Sequence, residues 1–168
     1  MKLKGRFSGE DYFQKISLKT LLLQNLIYFT AEPKFRLYMN VKIDTKEKFT
    51  VISAKEPDLS ANMTVELLDL LQSYRKKEVP HIVLNLEAVG SMDVETGQKI
   101  AELQQEFYEN NQSFVICSLQ PAVESMLDAA ELLEIMNVTP TESEAWDIVQ
   151  MEEIERELLS DFDEEAGN

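Results

Sequence analysis

Two short apolar runs most constrain what this chain can fold into: HIVLNL at residues 81–86 and SFVICSL at residues 113–119. Neither shows the alternation of a strand with one wet face, so each reads as a strand covered on both sides. Between them Ile100, Leu103 and Phe107, joined by Tyr108, recur at helical spacing and form an inward stripe. Asp93 stands where that helix needs a cap, Glu95 suits its positive end, and Asn110 and Asn111 stop it. Strand–helix–strand units of this kind pair in parallel through right-handed crossovers.

The flanks extend the pattern. Val41 and Ile43 alternate with polar residues, KEK turns the chain, and FTVIS follows, which predicts a hairpin. Pro57 and Asp58 mark a loop. A helix is predicted from about Met63, capped by Asn62 or Thr64, with Val65, Leu67, Leu68, Leu70 and Leu71 toward a core. Pro121, preceded by Ser118 or Gln120, opens PAVESMLDAAEL. A short strand is expected over Ile135–Val138. Thr141 and Glu144 then form a capping box for a last helix that runs through MEEIERELL. The order is β β α β α β α β α. The expected fold class is α/β, a small mixed β-sheet with about four α-helices packed on it.

Charge narrows the function. The net charge is -15 over 168 residues, and it is unevenly placed. Residues 1–38 carry seven Lys/Arg and three Asp/Glu, a net +4; residues 39–168 carry nine and 28, a net -19. An acidic domain of that kind repels phosphate backbones and anionic membranes and favours a protein partner with a basic face. No nucleic acid, membrane insertion, cofactor or metal is expected. The single Cys117 and single His81 have no metal-ligand spacing around them. One cysteine also fits a reducing cytoplasm. The run LLLQNLIYF is too short and too broken to span a bilayer.

Three regions are expected. Residues 1–38 are a basic extension, or the natural protein starts at Met39. Residues 39–150 form the domain. Residues 151–168 form an acidic helix and tail, with eight acids against one Arg. Single residues are read conservatively. Asp93 and Glu95 read as a charged helix start, not as a general acid and base. His81 reads as structural, Cys117 as a small core residue, and Trp146 and Met126 as packing toward the sheet.

The runs IVLNLEAVGSMD, SFVICSLQPAVESMLDAAEL and IMNVTPTESEAWDIV together resemble the STAS domain, the fold of bacterial anti-sigma factor antagonists. The ending VQMEEIEREL is similar to the tail of Bacteroidetes-type STAS proteins. The resemblance implies a non-enzymatic protein-binding module in partner-switching signalling. Its partner would be an anti-sigma factor that is itself a GHKL-type serine kinase, or another STAS-network protein, with homodimer formation left open. It places the contact surface on Ser91, Met92, Asp93, Val94, Glu95, Thr96 and Gly97. In the family this loop reads Asp-Ser-Ser-Gly or Asp-Ser-Thr-Gly, and the first hydroxyl is phosphorylated. Here Asp93 matches, Val94 stands at the phosphoacceptor position, and the glycine comes one place late. Thr96 and Ser91 are the nearby hydroxyls that could take a phosphoryl group instead. A constitutive scaffold or accessory subunit is the alternative reading, and a nucleotide-binding protein a more distant one.

Overall fold

The β-strands alternate the side chains of neighbouring positions between two faces, and this protein uses both. In the computed structural model, which describes residues 39–166, Ile52, Leu84 and Ile116 lie side by side on one face of the sheet. Their neighbours Val51, Val83 and Val115 line up on the other. All six are buried. This two-sided burial is what the apolar runs predict.

The strands are β1 (Val41–Thr45), β2 (Thr50–Ala54), β3 (Asp58–Leu59), β4 (Ile82–Asn85), β5 (Ser91–Met92), β6 (Phe114–Cys117) and β7 (Val138–Thr139). The helices are α1 (Ala61–Tyr74), α2 (Val94–Glu109), α3 (Pro121–Ala129) and α4 (Glu142–Ala166). The main sheet has the order β1-β2-β4-β6-β7. The β1–β2 pair is the antiparallel hairpin and the other pairs are parallel. Helices α1, α2 and α3 supply the larger core cluster, around Leu67, Leu71, Ile100, Phe107, Val123 and Leu127. Among the described residues, helix α4 covers the other face through Ala145 and Val149.

Helix ends follow local chemistry. Asn111 takes φ 57°, and the Gln112 amide reaches back to the Phe107 carbonyl at 2.9 Å, so α2 stops where the two asparagines predict. Thr141 accepts from the Glu144 amide at 3.2 Å, which is half of the anticipated box, while the Glu144 carboxylate takes the Thr141 hydroxyl at 2.9 Å rather than the Thr141 backbone amide.

Several expectations are corrected. α1 begins at Ala61, with Ser60 as the flanking residue, so neither Asn62 nor Thr64 caps it. Thr64 turns inward, and Val65 is left 52% exposed because the stripe that contacts the sheet is Leu67 and Leu71. On α2, Gln104 takes the inward place and Tyr108 is exposed. The last strand starts three residues later than expected and ends one later, because β7 is set by parallel register with Ile116 and Cys117; Ile135 sits in the preceding turn and is exposed. Trp146 is 45% exposed rather than packed on the sheet, since Ala145 and Val149 occupy that contact. The proposed extension, residues 1–38, lies outside the described residues.

Candidate protein-binding corner

Strand β4 ends at Asn85, and its loop returns through Val89 and Gly90 to a second, two-stranded sheet. There β5 pairs in parallel with β3, Asp58 opposite Ser91 and Leu59 opposite Met92. The Pro57 carbonyl accepts from both the Gly90 amide (2.8 Å) and the Ser91 amide (3.0 Å). The Ser91 hydroxyl donates to the Asp58 carboxylate. Pro57 and Asp58 therefore brace the corner. Their loop signal was visible in the sequence, but their pairing with residues 33 positions away was not.

Asp93 caps α2 as expected. Its backbone is extended (φ -87°, ψ 164°), and its carboxylate accepts from the Thr96 amide at 2.6 Å. The Thr96 hydroxyl and then the Thr96 amide hold its pKa below the usual carboxylate value. One turn on, Glu95 and Lys99 pair at 2.7 Å across an i,i+4 step.

The seven expected contact residues divide by exposure. Ser91, Asp93, Val94 and Glu95 are exposed, and Met92 is partly so. Thr96 and Gly97 face inward. Thr96 is 1% exposed and its hydroxyl lies 2.8 Å from that of Thr64. Gly97 lies where α2 meets α3. A Cβ there would stand 2.7 Å from Leu127 Cδ2 and 3.1 Å from Leu132 Cδ1. This glycine serves helix packing. Thr64, Leu127 and Leu132 gave no sign of this role in the sequence, because they reach the corner only through tertiary packing.

What the corner presents is Val94, 41% exposed, between the exposed Asp93 and Glu95, with the exposed Asp58 beside Ser91 and Lys99 paired to Glu95. His81 lies at the start of β4, at the other end of the strand, where its Nδ1 accepts from the Ser113 amide at 2.9 Å. Cys117 is buried, and burial pushes its thiol up to about 11. Among the described residues no group of three or more His, Cys, Asp and Glu is arranged to hold a metal ion. No described helix is long and apolar enough to cross a membrane.

The fold has solved counterparts. A putative anti-sigma factor antagonist from Thermotoga maritima superposes with a TM-score of 0.58 at 19% identity, over 66% of this chain and 94% of that one. A STAS-domain anti-sigma factor antagonist from Planctomyces limnophilus gives 0.55 at 16% identity, over 66% and 97%. The anti-sigma factor antagonist SpoIIAA, in its unphosphorylated form, gives 0.54 at 18%, over 66% and 96%. Residues 15–145 match the family described as the STAS domain. Over that span, which is most of its length, this chain belongs to the STAS domain family.

Proposed function

We propose that the chain is a non-enzymatic regulatory module of the anti-sigma factor antagonist type, and that it binds another signalling protein through the corner Ser91–Glu95. The observation that carries this reading is the exposed Val94 flanked by the carboxylates of Asp93 and Glu95, at the N-terminus of a helix whose cap is already satisfied. An apolar centre with a charged rim is the anatomy of a contact site. Flanking carboxylates favour a basic partner surface, such as that of a GHKL-type serine kinase acting as an anti-sigma factor. The module proper is taken as residues 39–150, with residues 151–168 as an acidic appendage and residues 1–38 as an extension.

SpoIIAA is described in both unphosphorylated and phosphorylated forms. In this chain Val94 has no hydroxyl, and the Thr96 hydroxyl is buried, so Ser91 is the accessible candidate for such a switch. A phosphoryl group on Ser91 would set a dianion against the Asp58 carboxylate that the hydroxyl now contacts, and repulsion would loosen β5 from β3. The same exposures also support a second reading, a constitutive scaffold or accessory subunit that binds without covalent switching.

Calorimetric titration of the purified chain with its cognate GHKL-type kinase tests the binding claim. Val94→Lys and Glu95→Lys should each weaken binding by about tenfold or more, and Glu78→Lys, away from the corner, should not. Equal affinities across all three variants would remove the corner from consideration. Incubation with kinase and ATP separates the two readings. A phosphoryl mass gain on Ser91 supports the switch, and binding without any gain supports the scaffold.

A further inference from the structure

Helix α4 meets the sheet on one side only. Ala145 and Val149 are fully buried against β4 and β6, while Trp146, Met151, Ile154 and Leu158 are 45%, 61%, 54% and 54% exposed. At 100° per residue Trp146, Gln150, Ile154 and Leu158 succeed one another along a single outward row, with Met151 beside its far half. The row is about 18 Å long at 1.5 Å per residue. Its Trp146 end opens on a groove of about 430 Å³ between α4 and the β1–β2 turn, walled by Phe49 and Gln150. The groove lysines are engaged already: Lys46 with Asp44, and Lys48 with Glu153 at 2.9 Å. Among the described residues, a small anion therefore finds no spare cation there.

Scattered exposed apolar residues need no explanation, but a row ending in a groove large enough for an anchoring side chain is a docking surface. Charge selects the occupant. Residues 142–159 carry seven Asp/Glu and one Arg, a net charge of -6. Arg156 is held by Ser113 at 2.9 Å. A second α4 laid along this face would bring like charge to like charge, and an anionic lipid surface would be repelled in the same way. We propose that the outward face of α4 is a second docking surface, separate from the Ser91–Glu95 corner, and that it takes a basic amphipathic helix of another protein. The apolar side of that helix covers Ile154, Leu158 and Met151, and a large side chain enters the groove beside Trp146. Its lysines or arginines face Asp147, Glu155 and Glu157.

Trp146 is the sole tryptophan of the chain and lies on the proposed face, so its fluorescence reports occupancy directly. The probe is a synthetic helix of leucine and lysine in an amphipathic repeat, titrated into the full chain. Two controls accompany it: the same pattern with glutamate for lysine, and the leucine–lysine composition in scrambled order. The expected result is a saturable blue shift with the amphipathic basic helix alone, weakened by salt. In Ile154→Glu the affinity should fall about tenfold or more, and in Val94→Lys it should not change. An equal response to the scrambled peptide would show that only charge is recognised and would overturn the proposal. So would an unaltered affinity in Ile154→Glu, or no response at all. Sedimentation of the wild-type chain as a dimer that Ile154→Glu dissociates would also overturn it, by making a second copy the occupant.

Discussion

The hydroxyls of Thr64 on α1 and Thr96 on α2 meet 2.8 Å apart in the interior of the protein. Thr64 also reaches the Ser60 carbonyl at 3.1 Å, so a short polar chain ties the start of α1 to the first turn of α2. Thr96→Val leaves Thr64 its Ser60 partner and takes a hydroxyl from Asp93, which keeps the Thr96 amide. The expected loss is about 1 kcal/mol, read as a lower urea midpoint. With kinase present, peptide mapping of the native wild-type chain should place no phosphoryl group on Thr96. Modification there at full stoichiometry, without loss of fold, would show that the hydroxyl is reachable.

Gly97 is needed for the approach of α3 to α2. Gly97→Ala drives a methyl into Leu127 and Leu132 and should destabilise the protein by about 1–3 kcal/mol through overpacking. The gain in helix propensity, about 1 kcal/mol, offsets part of this. Leu127→Ala in the same chain opens space, so the two substitutions together should cost less than their sum. Simple additivity in thermal melts would contradict the packing account.

Gln104 clasps two strands across the core. Its side-chain amide donates to the Phe114 carbonyl at 2.7 Å and the Asn137 carbonyl at 3.0 Å, and its carbonyl accepts from the Asn137 amide at 2.9 Å. Gln104→Leu keeps the shape but strips the Asn137 amide of its partner, while the Asn137 carbonyl keeps the Ile116 amide at 2.9 Å, at a cost of about 1–3 kcal/mol. Amide exchange at Asn137 should accelerate in this variant far more than exchange at Val83. Unchanged protection would mean that the clasp is not what secures β7.

The pKa of His81 is lowered by burial first, then by Arg156 and Lys48, with Glu153 acting in the opposite sense. A base whose folded pKa lies below its unfolded value contributes fully above the unfolded value, here 6.5, and loses that contribution as pH falls through the window beneath it. Protonation also adds a proton at Nδ1, which now accepts from Ser113. The stability difference between wild type and His81→Asn should therefore shrink on going from pH 7.5 to pH 5.5. A difference that stays constant would assign His81 no linked proton.

Cys117 should be inert while the protein is folded. With its thiol pushed up to about 11, only about one molecule in a thousand holds a thiolate at pH 8, and that sulfur is enclosed. Labelling by a disulfide reagent should track the opening of the fold and become fast in urea. Rapid labelling without denaturant would show that the sheet opens around β6 on its own.

Local pattern alone determined the order of the four helices and the five main-sheet strands, though not the short β3 and β5 pair, and with it the two-sided burial of β4 and β6, the stop at Asn111, the Asp93 cap and the STAS resemblance. The burial, the stop and the cap each depend on residues within a turn or two of one another, and period or capping chemistry records such relations directly; the order and the resemblance are strings of such local signals read in sequence. Tertiary structure decided which hydroxyl of the corner is reachable, why Gly97 is glycine, the pairing of Asp58 with Ser91, the register of β7 and the outward turn of Trp146. Those outcomes depend on which element arrives from tens of residues away and covers which side. A helical stripe tells how a helix is divided, but the neighbour that packs against it chooses the half that goes dry. Thr96 and Ser91 look alike as hydroxyls in the chain; α1 closing over one of them made them different.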